Sequence, residues 1–449
     1  MKMDPLIRLM ALCLVLSGTS LTTTPLYAAP KIPAKVVIIG LDGVSLNLLE
    51  PYVKQGVTPN LGALMQQGAR GELASIWPLR TPQVWTSVAT GKLPGQHGIW
   101  DHLSNTYFNP PEFRTKAKSA VTTENLRSKP LWRLLGDAGI ATLNVGWMAA
   151  WPAQEVPHGV VVAPIELMKD ARQTTIKGSF YRGAKKMTAP QRLDAKVQKL
   201  IVDPNDIGEA DVADFAKLPS KDSPIRRLPY MERYIYALRW SLARARSVEA
   251  ITLGLLDDAN PAVVLSYFQC TDSLLHRFWI FQEGADNIRQ RFSTHGIDAT
   301  HAEELHQRFG KVVEACYRDV DARVGRILAA TQGPQTLVLV VSDHGFGPAP
   351  VPHRLKGEPY SGDHLESGII LAQGPGIKPG SRLEGASVLD VTPTVLHSLG
   401  QAVAADMRGR VLLPVTQGLN PGQVKTIATY EDKPQLEVPY AEGWPKRSP

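Results

Sequence analysis

Three near-continuous apolar runs constrain this 449-residue chain more than any other feature. They are Val36-Val37-Ile38-Ile39, Ala262 to Cys270 and Thr336 to Ser342. A strand with one wet face alternates apolar and polar residues. A run without alternation predicts a parallel strand buried on both faces. Each run is followed within a few residues by an aspartate: Asp42, Asp272 and Asp343. In open α/β sheets, ligands bind beyond the carboxyl ends of the strands. The same pattern therefore predicts both a fold class and the edge where chemistry gathers.

Between these runs the periodicity switches to helical. Leu61 to Gln67 predicts a helix stopped by Gly68, and Thr81 to Thr90 and Pro130 to Asp137 predict two more. Ala141 to Trp147 and Ser367 to Ala372 predict strands; His301 to Thr331 predicts one long helix and Pro393 to Leu399 a short one. Strands alternating with helices predict an α/β fold around a mostly parallel sheet. Residues 151–250 break the rhythm. They are rich in Lys, Arg, Pro and Asp before a helical pattern from Tyr230 to Leu256, and they are expected to form an inserted cap. The catalytic body is then 29–150 with 251–411, and 412–449 is a Pro- and Gly-rich tail that wraps the surface or stays disordered.

The first 28 residues are expected to be an export signal. Lys2 and Arg8 make a basic start, Leu9 to Leu16 is apolar, and Leu26-Tyr27-Ala28 offers a cleavage site. The apolar run is too short to span a bilayer comfortably, and no other stretch reaches spanning length. An exported protein, periplasmic or secreted, with no transmembrane span in the mature chain, is the expectation. A formal charge of +7 is a mild basic bias, and no Lys/Arg run marks a nucleic-acid surface. Cys270 and Cys316 remain after cleavage; a disulfide and two buried thiols both stay open.

Asp343-His344 places a carboxylate and an imidazole at one strand end. Asp272 and His276, spaced i,i+4, share a helix face and can hold one metal together. His364 follows in a loop, with His353 as its competitor. Thr81 precedes Pro82, which reads as N-cap and N1 of a helix and sets a hydroxyl at the positive end of the dipole. Three carboxylates and three imidazoles suit two divalent ions, zinc first, with manganese or iron open. Taken singly, each of these also has a plain structural explanation: a turn, an exposed helix pair, a cap.

Taken together, Gly40-Leu41-Asp42-Gly43, Thr81-Pro82 leading into Trp85 to Gly91, Pro94, His97-Gly98-Ile99, Asp272 with His276, Ser342 to Gly345, His364, Asp390 to Thr394 and Met407 to Arg410 stand in one order. This set resembles the alkaline phosphatase superfamily, in its type I phosphodiesterase/nucleotide pyrophosphatase branch, over about residues 35–412. The resemblance implies an alkaline-phosphatase-like three-layer αβα sandwich. It implies one metal among Asp42, Thr81, Asp343 and His344, and another among Asp272, His276 and His364. Thr81 would attack phosphorus, and water would hydrolyse the phospho-threonine with net retention.

Two departures matter. Asp101 and His102, with Asn105 a little later, stand where that branch places an Asn that donates to the phosphoryl group. Thr81-Pro82-Gln83 also lacks the Cys/Ser-x-Pro-x-Arg pattern of sulfatases. The expected reaction is hydrolysis of a small anionic phosphate ester, a diester or pyrophosphate. A phosphomonoesterase or phosphonate monoester hydrolase remains an alternative, with Arg80, Lys92 and Arg277 as candidate substrate clamps. A phosphotransferase or a non-catalytic phosphate binder is the alternative of another class. Oligomeric state is left open.

Overall fold

The computed structural model describes residues 33, 35–104, 109, 120–164, 183–228, 231–292, 299–355, 358–416 and 423–432. For 292, 299, 350–355, 358–360 and 413 it describes the backbone alone. The expected export segment and Asn105 lie outside these residues.

The strands of the central sheet are β1 (Lys35–Leu41), β2 (Ala69–Ala74), β3 (Thr142–Val145), β4 (Gly159–Val162), β5 (Thr188–Ala189), β6 (Val263–Phe268) and β7 (Thr336–Val341). A separate hairpin, β8 (Gly345–Leu355) and β9 (Glu358–Leu365), precedes β10 (Ser367–Gln373), which rejoins the sheet, as do β11 (Ser381–Arg382) and β12 (Ala386–Ser387). The order is β11-β2-β10-β7-β1-β6-β3-β4-β5, with β12 also paired to β2. The middle strands β7, β1, β6, β3 and β4 are mutually parallel, and β10 runs against both β7 and β2.

The apolar runs do what their lack of alternation predicts. Val37, Ile39 and Leu41 join one core, while Val36 and Ile38 of the same strand join the other. Helices Met231–Gly254, Cys270–Gln282 and Val312–Thr331 pack on the first face. Helices Thr81–Thr90, Leu131–Asp137 and Val391–Ser398 cover the second. The result is the three-layer αβα sandwich that the resemblance implies.

Several expectations change. The segment 151–250, expected as an inserted cap, contributes in its described residues to the central sheet and the core. Val160 and Val162 of β4 pair beside β3 and are buried, and the Met231–Gly254 helix buries sixteen side chains, Leu238 and Val248 among them. The long helical pattern from His301 divides at Gly310-Lys311 into Ala299–Phe309 and Val312–Thr331. Part of the tail is fixed: Val415 is fully buried, and Thr426–Ile427 pairs with Val403–Ala404. Cys270 and Cys316 are both buried and free. No helix among the described residues is long and apolar enough to cross a membrane.

Candidate metal centre and active site

Strand order explains why distant residues meet. β7, β1 and β6 are adjacent and parallel, so their carboxyl ends share one edge. Asp42 follows β1, Asp343 follows β7, and Asp272 lies in the first turn of the helix after β6. Gly43, at φ 74°, turns the chain away immediately after Asp42. The β8–β9 hairpin brings His364 back over the same edge, where Phe346 pairs with it.

The six predicted donors form one buried cluster. His344 Nε2 lies 3.3 Å from Asp42 Oδ1, 3.4 Å from Asp343 Oδ2 and 3.8 Å from Asp272 Oδ1. Asp272 Oδ1 also lies 3.2 Å from His276 Nε2 and 3.1 Å from His364 Nε2. The two imidazole nitrogens of His276 and His364 are 2.9 Å apart. Asp42, Asp343 and His344 form one compact group, and Asp272, His344 and His364 another.

Whether this cluster fits metal ions is decided by its hydrogen bonds. His276 Nδ1 faces Gly362 O at 3.0 Å, His344 Nδ1 faces Gly345 O at 3.0 Å, and His364 Nδ1 faces Leu79 O at 3.1 Å. A carbonyl can only accept, so each Nδ1 carries a proton, and in the neutral ring, the form that binds a metal, Nε2 presents a lone pair. Metal-bound histidines are oriented by this kind of second hydrogen bond. Asp42 Oδ1, Asp343 Oδ2 and His344 Nε2 are buried without a hydrogen-bond partner. Orphaned buried polar atoms are costly, and three together mark a cation site.

Charge points the same way. Burial raises the pKa of Asp42, and the nearby Asp272 adds to it; burial and then Asp42 push Asp343 well above the carboxylate range. Burial also opposes ionisation of Asp272, but His276 and His364 outweigh it and hold that carboxyl well below its usual value. Burial disfavours protonation of His344, yet Asp343 and Asp42 raise its pKa to about 10. Three carboxylates crowded out of water need positive charge, and divalent ions supply it.

Thr81 begins the Thr81–Thr90 helix and is 3% exposed. Arg80 is the N-cap, so Thr81 is N1 and Pro82 N2, one position later than the Thr-Pro reading expects. The bond from His364 Nδ1 to Leu79 O ties the chain just before Thr81 to the cluster. Of the proposed clamps, Lys92 is 1% exposed and ion-paired to Asp406 at 2.8 Å and Glu431 at 2.9 Å, which commits it to holding the tail. Arg277 Nη1 donates to Ser273 O at 2.8 Å on its own helix. Asp101 is buried and accepts from His102 N at 2.7 Å. The side chain of His353 lies outside the described residues. Sequence reasoning missed Tyr267, whose hydroxyl donates to Asp42 Oδ2, and Thr271, whose hydroxyl donates to Asp42 O. Tyr267 was hidden because it reads as one more apolar residue of β6.

Fold and cluster together define a three-layer αβα protein with a buried set of carboxylates and imidazoles that could hold metal ions. The family can be given more closely. The model of the type I phosphodiesterase / nucleotide pyrophosphatase family matches residues 36–386, most of the chain, and the chain belongs to that family. It is also 31% identical over 118 residues to a 2,3-bisphosphoglycerate-independent phosphoglycerate mutase of Shewanella denitrificans, covering 24% of this chain and 20% of the mutase. The match therefore spans about a fifth of that relative's length. Among solved structures, a putative sulfatase of Bacteroides thetaiotaomicron is similar at TM-score 0.47 and 15% identity, covering 88% of this chain and 76% of its own. A phosphonate monoester hydrolase of Silicibacter pomeroyi is similar at TM-score 0.45 and 16% identity, covering 87% and 78%.

Proposed function

We propose that this is an exported two-metal hydrolase of phosphodiester or pyrophosphate bonds in which Thr81 is the nucleophile. The observation that carries the reading is the convergence of three Nε2 atoms and three carboxylates, with His364 bonded to Leu79 O two residues before Thr81. Asp42, Asp343 and His344 would hold one ion, and Asp272, His276 and His364 the other. Two bound divalent ions, zinc by the donor set, would neutralise charge on the phosphoryl oxygens and acidify the attacking hydroxyl.

The chain's own residues do the rest. Thr81 Oγ1 bonds to phosphorus while the ester oxygen opposite leaves with its electron pair; water then cleaves the phospho-threonine. Two in-line steps give net retention. The N-terminus of a ten-residue helix favours the phosphoryl anion. Pro82 has no N–H and Val84 N donates to Arg80 O at 2.9 Å, so Thr81 and Gln83 supply the first-turn donors. The basic start, apolar run and Leu26-Tyr27-Ala28 support export.

Thr81→Ala tests the assignment. Turnover of a nitrophenyl phosphodiester should fall by about 10³- to 10⁶-fold, with metal content unchanged. A fully active variant would remove Thr81 from the chemistry. Comparing nitrophenyl mono- and diesters on the wild type ranks the substrate classes.

A further inference from the structure

Asp42 is held by one short stretch of chain. Its N–H donates to Phe268 O at 2.9 Å, and its carbonyl accepts from Asp272 N at 3.1 Å and from the Thr271 hydroxyl. Its Oδ2 accepts from the Tyr267 hydroxyl, which leaves Oδ1, 3.3 Å from His344 Nε2, as the oxygen without a hydrogen bond. Residues 267–272 thus grip one candidate ligand while contributing another, Asp272.

The Tyr267 ring is itself fixed on several sides. It is fully buried and packs edge-on against Trp85, with centroids 4.8 Å apart. Trp85 is one helical turn after Thr81, so this contact ties the nucleophile's helix to β6. Trp147 lies 6.1 Å from the Tyr267 ring and donates through its indole N–H to Trp85 O at 3.1 Å. The Arg244 guanidinium, bonded to Gln269, sits 5.5 Å from the Tyr267 ring centre. Room for the aromatic pair comes from Gly40 on β1: a Cβ there would fall 2.8 Å from two Trp85 ring atoms and 3.3 Å from Tyr267. A ring locked this way has almost no freedom to swing its hydroxyl.

We propose that Tyr267 is a positioning residue that makes Asp42 a one-oxygen donor and thereby sets the affinity of the metal site formed by Asp42, Asp343 and His344. The hydroxyl occupies Oδ2 and aims Oδ1 at the orphaned atoms of Asp343 and His344. Without it the carboxylate is free to rotate between one- and two-oxygen binding. The second site, built on Asp272, His276 and His364, makes no contact with the Tyr267 hydroxyl that the structure records, so the effect is confined to one ion. This inference rests on the two-metal reading above.

The test is a zinc titration of the full chain, stripped with a chelator and read against a chromophoric competitor. Wild type should bind two equivalents, and Asp42→Asn identifies which one belongs to the Asp42 site. Tyr267→Phe keeps the ring and should weaken that equivalent alone by about 10- to 100-fold, leaving the other unchanged. Trp85→Phe, which alters the packing but not the hydroxyl, should leave both unchanged. Equal affinities in Tyr267→Phe and wild type would overturn the proposal, as would equal weakening of both equivalents or the same selective loss in Trp85→Phe. A wild type that binds no zinc would instead overturn the metal reading itself. Should Tyr267→Phe not fold, wild type still decides: the equivalent lost in Asp42→Asn should produce a tyrosine difference absorbance, and its absence would sink the idea.

Discussion

The histidines of the carboxylate cluster and His97 are built to opposite ends. In the candidate metal centre, His276, His344 and His364 each direct Nδ1 at a backbone carbonyl and leave Nε2 among carboxylates. Against Ser87 of the Thr81 helix, His97 is fully buried, but its Nδ1 accepts from Ile99 N at 3.2 Å and its Nε2 lies 2.8 Å from Ser87 Oγ. An imidazole whose Nδ1 accepts must carry its proton on Nε2 and has no lone pair left to offer. Burial, helped by the charge of Lys92, lowers the His97 pKa to about 3, while the carboxylates beside His344 raise its pKa to about 10. His97 and His344 are alike in residue type and in full burial. The partner of one ring nitrogen separates a ligand from a strut.

The largest expected break in this comparison comes from His344, whose Nε2 reaches all three carboxylates. His344→Ala should lose bound metal and, with it, several kcal/mol of charge stabilisation, on the order of 10³-fold in kcat/KM. Elemental analysis and a diesterase assay on the same sample decide it. A variant that kept its full metal content would show that the imidazole is not a ligand.

How much of this was legible in the sequence follows from which signals are local. Asp42, Asp272 and Asp343 end apolar runs, and runs buried on both faces are readable without partners. The edge they share depends on β7, β1 and β6 being neighbours, a long-range fact that the runs suggest but do not state. The one-residue slip at Thr81 has a simple cause. Proline is tolerated throughout the first helical turn, where N–H groups lack intrahelical partners, so Thr-Pro marks a helix start without fixing its register. The strand within 151–250 went unread for another reason. β4 has four residues, Gly159–Val162, set among Pro-rich and charged stretches, and its reason to be a strand is its pairing with β3. Tyr267 was invisible for the opposite reason: its phenol tip is masked by an apolar body in an apolar run.

A smaller effect should come from the strut. His97→Gln removes the ring that bridges Ser87 Oγ and Ile99 N in a fully buried position. Leaving such partners unsatisfied costs about 1–3 kcal/mol, read as a lower urea midpoint with an unchanged m-value. Metal content and kcat/KM should stay near wild type, because no atom of His97 faces the cluster through a recorded bond. Loss of metal from this variant would erase the distinction between the two sets.

The smallest effect is a slope. The folded His97 pKa, about 3, lies below the unfolded value of about 6.5, so the unfolded chain takes up a proton that the folded chain refuses. The sign follows: this stabilisation is complete above pH 6.5 and is lost as pH falls through the window toward 3, by up to about 1.4 kcal/mol per pH unit. Ordinary carboxylates titrate there too, so the absolute acid limb does not isolate His97. The difference between two proteins does. His97→Gln lacks the linked proton, so its deficit against wild type should shrink as pH falls from 7 to 5, by about 2 kcal/mol at most. Urea unfolding of both proteins at each pH, with saturating zinc, measures that difference directly. Curves that stay parallel across the window would mean that His97 is protonated in the folded chain as readily as in the unfolded one, and the strut would then be no different from an exposed histidine.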